Sequence, residues 1–69
     1  MIKVTNNNVC YIKIKNEDNE TEYVNINNIV SIIKYNNKGK LNCVNGSILT
    51  QETVEQIMEL ISECFSKIK

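Results

Sequence analysis

Seven apolar residues near the end of the chain, Val54, Ile57, Met58, Ile61, Cys64, Phe65 and Ile68, recur at intervals of three, one, three, three, one and three. At about 100° per residue this spacing gathers them on one helical arc about 120° wide. A stripe of that width needs one apolar surface to lie on. Glu52, Glu55, Glu59, Ser62, Glu63 and Ser66 fall on the opposite side, and Leu60 stands at the apolar margin. Thr50 is placed to cap the helix N-terminus, with its hydroxyl accepting from the N–H of Glu52 or Thr53. The spacing thus predicts a helix over 51–68.

The surface that this helix must cover lies upstream, where the hydrophobic period changes to two. Val9 to Lys15 alternates, with Cys10, Ile12 and Ile14 on one side and Tyr11, Lys13 and Lys15 on the other, the pattern of a half-buried strand. After the polar stretch from Asn16 to Glu20, Thr21 to Ile26 resumes extended structure and forms a hairpin with the first run. Asn27 and Asn28 then break the pattern, because asparagine tolerates left-handed backbone and bonds its own chain in turns.

Ile29-Val30-Ser31-Ile32-Ile33-Lys34-Tyr35 is the most apolar segment and reads as the central strand. Regular alternation puts Val30 and Ile32 on one face and Ile29, Ile33 and Tyr35 on the other. Both faces are apolar, so the second must be covered by another strand pair or by another molecule. Gly39 is expected in the turn that follows, free to take positive φ. Leu41 to Val44 then returns antiparallel, Asn45-Gly46 reads as a two-residue hairpin turn, and Ser47 to Leu49 is a last short strand. The expected fold is α+β: an antiparallel β-meander of four to five short strands within residues 1–50, then one C-terminal amphipathic helix packed on one sheet face, all in a single domain over 1–69.

A chain of 69 residues buries a small core, and domains of this size commonly gain stability from oligomerisation or a covalent staple. The three cysteines, Cys10, Cys43 and Cys64, form no Cys-x-x-Cys pair and have no histidine to join them; they read as small core residues of a reduced, cytoplasmic protein. Met1 to Thr5 is too short for a signal-peptide core, and no run approaches the length of a membrane span.

Eight lysines balance eight acids, which removes the global attraction expected of a dedicated nucleic-acid binder. The charges are nonetheless segregated: Lys3, Lys13 and Lys15 precede Glu17, Asp18, Glu20 and Glu22, and Lys34, Lys38 and Lys40 precede the helix acids. This allows basic hairpins of one subunit to meet acidic surfaces of another.

Without histidine the cysteines and serines lack an ordinary activating base, so no catalytic residue is expected. The acidic turn lacks an apolar wall to raise a carboxyl pKa and lacks the ligand spacing of a calcium loop. Gly39 and Gly46 are isolated, unlike a phosphate cradle. No cofactor or metal is therefore expected.

Two surfaces stand out. Val30, Ile32, Ile33, Tyr35 and Leu60 are candidates for an interface, since they are the apolar surplus that one helix leaves over. Tyr11, Lys13, Lys15, Tyr23 and Lys34 are candidates for a ligand surface, because aromatics beside lysines on a sheet stack bases.

Met1-Ile2-Lys3-Val4-Thr5, the segment Glu22-Tyr23-Val24-Asn25-Ile26-Asn27-Asn28-Ile29, the dipeptide Asn45-Gly46 and the run Gln51-Glu52-Thr53-Val54-Glu55-Gln56-Ile57 together resemble the FlbD family of small flagellar and swarming-motility proteins. The resemblance covers about residues 22 to 61; Asn6 to Thr21 has no counterpart in the family pattern. It implies a small non-enzymatic protein and brings no catalytic residues. The same strand-and-turn grammar is similar to that of small phage and mobile-element proteins, which implies an alternative: sequestration of a nucleotide, or inhibition of a host factor, through the Lys/Tyr surface. The leading expectation is an interaction module that self-associates and binds a protein partner.

Overall fold

The computed structural model describes residues 10–66. Its elements run β1 (Tyr11–Lys15), β2 (Thr21–Asn25), a single 3-10 turn (Ile26–Asn28), β3 (Ile29–Tyr35), β4 (Lys38–Cys43), β5 (Gly46–Leu49) and α1 (Val54–Ser66). All five strands pair antiparallel and the helix packs on them, so the fold is α+β. Parts of the expected elements at Val9 and beyond Ser66, and the FlbD-like Met1–Thr5, lie outside the described residues.

The strands form two sheets, β1-β2 and β3-β4-β5. The chain leaves the first at Ile26–Asn28, where the Asn25 side chain accepts a 2.9 Å hydrogen bond from the Asn27 N–H. This asparagine-rich corner ends one ladder before the next begins. The sheets meet again at a single bridge between Asn16 and Thr50, reinforced by the Gln51 N–H donating to the Lys15 carbonyl at 2.8 Å.

Asn16 builds the β1–β2 turn. Its Oδ1 accepts from the N–H groups of Asp18 and Glu20 at 2.9 and 3.0 Å, while its Nδ2 donates to the carboxylates of Glu20 and Glu22. Asn19 takes φ 64 to close the loop, a conformation that asparagine tolerates better than most residues. Glu22 belongs to β2 rather than to the acidic turn, and lies half-buried opposite Ile14.

The β3–β4 turn differs from the sequence expectation. Tyr35 pairs with Lys38, which leaves Asn36 and Asn37 as a two-residue loop with φ 50 and 64, the signature of a type I′ hairpin. Gly39 is not in this turn. It lies inside β4, buried against the helix, and a Cβ there would overlap Ile57 Cδ1. Its role is close approach rather than conformational freedom. The next hairpin also turns one residue earlier than expected. Cys43 pairs with Gly46, so the loop is Val44-Asn45 and Gly46, at φ 139, opens β5.

Ile12, Ile14, Val24, Leu41 and Ile57 form the buried core, with Ile26, Ile29, Ile32, Cys43, Ile48, Leu60 and Ile61 packed around it. Each of the five contributes about 1.5–3 kcal/mol of transfer free energy. The cysteines prove only half-buried, at the margin of this core rather than within it.

The helix starts at Val54, not Gln51, and Thr50 does not cap it. Thr53 Oγ1 accepts from the Gln56 N–H at 3.1 Å and Gln56 Oε1 accepts from the Thr53 N–H at 2.9 Å, a reciprocal capping box. Thr50 is instead buried, with its hydroxyl within 2.9 Å of the Gly39 carbonyl and 3.0 Å of the Glu52 carbonyl.

Candidate interaction surface

β3 shifts register between Ile29 and Ser31. The extra residue is Val30, and the bulge inverts the alternation expected from the sequence. Ile29 and Ile32 both turn to the core, whereas Val30, Ile33 and Tyr35 are 68, 43 and 49% exposed. Of the residues expected at an interface, Ile32 therefore faces inward, while Val30, Ile33 and Tyr35 lie outside. Leu60 is elsewhere, half-buried on the flank of α1 that faces β1.

The pairings Ile33–Lys40, Tyr35–Lys38 and Lys40–Leu49 place these side chains on the sheet face away from the helix. The same face carries the Asn42 Nδ2 to Ser31 Oγ hydrogen bond of 3.0 Å. Lys40 Nζ stands 6.0 Å from the centre of the Tyr35 ring, at the limit of a cation–π contact, and Lys38 Nζ donates to the Gln51 carbonyl at 3.0 Å. One end of the face is thus apolar at Ile33, Tyr35 and Leu49 and positive at Lys38 and Lys40, while Ser31, Asn42 and Ser47 make the other end polar. Among the described residues no strand pairs with β3 on its side away from β4.

Four of the five residues expected to form a ligand surface share one sheet. Lys13 pairs with Tyr23, and Tyr11 and Lys15 flank Lys13 on the same face of β1. Lys34 is not with them: it lies on β3 opposite Gly39, in the other sheet. Lys13 also borders a groove between β1 and α1 lined by Glu52, Gln56, Glu59, Leu60 and Glu63, where three carboxylates oppose the approach of an anion.

That groove marks how the helix closes the free edge of β1. The Glu52 carboxylate accepts from the Lys15 N–H at 3.1 Å, and near the other end the Cys64 thiol lies 3.9 Å from the Tyr11 carbonyl.

Met58 and Phe65, expected in the buried stripe, are 51 and 56% exposed. Ile57 makes the closest contact with the sheet, and at 3.6 residues per turn Met58 and Phe65 are rotated from it by about 100° and about 80°. They emerge beside Glu55, Glu59 and Ser62 as an apolar flank of an acidic surface. Leu60, Cys64, Ile57, Ile61 and Val54 are the buried or half-buried positions of the helix, an arc of about the expected width rotated toward Leu60, so the residue read as marginal faces inward and Met58 and Phe65 are turned out.

Among the described residues no group of three or more His, Cys, Asp or Glu side chains is placed to hold a metal ion. No described helix is long and apolar enough to cross a membrane. Partial burial, with the Glu22 carboxylate nearby, pushes the Cys43 thiol above the ordinary thiol range, which disfavours the nucleophilic thiolate. No family model, curated protein or solved structure matches the chain.

Proposed function

We propose that this chain is a non-enzymatic interaction module that associates with copies of itself, and with a protein partner, through β3 and the outer face of its sheet. The observation that carries the reading is the exposure of Val30, Ile33 and Tyr35 on a seven-residue strand at a sheet edge. Long apolar edges promote pairing with another chain unless charge, proline or a covering element prevents it, and Lys34 is the one charged residue on this strand. The resemblance of residues 22–61 to the FlbD family points toward the same kind of protein. Light scattering across the micromolar range tests the proposal. A concentration-dependent rise in mass is the expected result, and a strict monomer at every concentration overturns self-association.

A second reading, capture of a nucleotide by the Lys/Tyr face, has the Lys13–Tyr23 pair in its favour. The carboxylates beside Lys13 weigh against it. Thermal-shift measurements with nucleotides and short oligomers decide between the two, since a phosphate ligand stabilises in a salt-dependent way.

A further inference from the structure

The outer sheet face and the exposed helix surface are separate patches of one two-layer body, because Ile57 seats α1 against Gly39 on the inner side of β4, which leaves Glu55 and Glu59 on the crest of the helix and Met58 and Phe65 on its flank. Their chemistry is complementary. The sheet presents Ile33, Tyr35 and Leu49 with Lys38 and Lys40, and the helix presents Met58 and Phe65 with Glu55 and Glu59. Glu55 and Glu59 make no ion pair with a described lysine.

Resting on the self-association proposed above, we infer that the occupant of the sheet face is the helix face of a second copy. Pairing like faces would set Lys38 and Lys40 against their own equivalents, or Glu55 and Glu59 against theirs, and like charges brought together oppose association. Pairing unlike faces joins each lysine row to a carboxylate row and buries apolar groups on both sides. Contacts of this heterologous kind, made through two different patches of the subunit, close only if rotation brings the ends together and otherwise propagate. The assembly is therefore head-to-tail and extends beyond a dimer. It also weakens with salt, since the Debye length falls from about 10 Å at 0.1 M to about 3 Å at 1 M.

Two surface variants test this. Met58→Gln with Phe65→Gln disables the helix face and leaves the sheet face intact; Ile33→Thr with Tyr35→Thr does the reverse. In sedimentation velocity the unaltered chain should pass the dimer mass as concentration rises, and association should weaken several-fold at high salt. Each variant alone should be monomeric, and an equimolar mixture should form a discrete one-to-one dimer, because one intact sheet face meets one intact helix face. The mixed dimer also demonstrates that both variants are folded. If the unaltered chain stops at a dimer and the mixture of variants, each still giving a cooperative melt, stays monomeric, the head-to-tail arrangement is overturned while self-association stands. If the unaltered chain is monomeric throughout, both fall; binding of polylysine by that monomer would then assign the helix face to a separate basic partner.

Discussion

Ile57 Cδ1 occupies the space that a side chain on Gly39 would need. This one contact fixes how closely the helix approaches the sheet, and around it the backbone is tightly bonded: the Gly39 N–H donates to the Glu52 carbonyl at 2.7 Å and the Thr50 N–H to the Gly39 carbonyl at 3.0 Å. The Gly39 backbone cannot retreat without breaking one of these bonds, so a side chain there would have to displace Ile57.

Gly39→Ala should therefore destabilise the fold by about 1–3 kcal/mol, the usual cost of overpacking. Adding Ile57→Ala should recover part of that loss, because it removes the colliding atom, although alone it costs about 2–5 kcal/mol. Denaturant titration of the four proteins in this cycle checks the prediction. Additive effects would mean that the two residues do not compete for space.

The two threonines near the helix start should separate by hydrogen exchange. Thr53→Ala removes half of the capping box at a cost of about 1 kcal/mol, and it should raise exchange chiefly in the first turn of α1. Thr50→Val removes the one hydroxyl proton shared by the Gly39 and Glu52 carbonyls, each of which keeps its backbone N–H partner, a loss of about 0.5–1.5 kcal/mol, and should raise exchange in the most protected amides of β4 and α1 together. Fraying of the first turn alone in Thr50→Val would return the capping role to Thr50.

Asn37 holds φ 64. Replacement by alanine should lower stability by about 1 kcal/mol, since a Cβ without a local hydrogen-bonding group makes left-handed backbone costly. Asn37→Gly should leave the thermal midpoint unchanged or higher. A lower midpoint for glycine than for alanine would argue against the type I′ turn.

Cys43 should make the fold lose stability in alkaline solution. Its thiol is held above the ordinary range by partial burial first and by Glu22 second. The folded state therefore favours the protonated form, and the stabilisation is intact below the pH at which an unfolded thiol ionises, roughly 8.5. As pH rises through that value and toward the folded pKa, the unfolded chain releases its proton first and stability falls. Cys43→Val should flatten this decline in denaturant midpoints measured from neutral to alkaline pH; an unchanged slope would remove Cys43 as its source.

Where a single local rule governs a segment, the sequence was enough to read it. Alternation located β1 and β2 and put Ile12 and Ile14 on one face, which the core bears out, and β3 spans the Ile29–Tyr35 run that its β-branched residues mark. Errors arose where two rules competed. Gly39 carries the residue type of a turn, yet two asparagines before it satisfy the left-handed positions and leave the glycine to serve packing. Thr50 and Thr53 both suit a helix start; the Gln56 three residues after Thr53 was the discriminating signal. The candidate surface depended on the Val30 bulge, and alternation alone contains no mark of a skipped residue.

That bulge has a consequence for the outside of the molecule. Counted without interruption from Ile29, the inward positions would be Ile29, Ser31, Ile33 and Tyr35, and a one-residue slip exchanges the two sides of everything beyond it. By inserting Val30, the backbone keeps Ile29 at the core, substitutes Ile32 for Ser31 there, and sends Ile33 and Tyr35 outward beside Lys40. Straightening the bulge while keeping Val30 would turn Ser31 inward and strip the outer side of its aromatic ring, whereas deleting Val30 would leave the phase of Ile32, Ile33 and Tyr35 as it is. The chemistry displayed to other molecules is thus written in the phase of the backbone as much as in the choice of side chains.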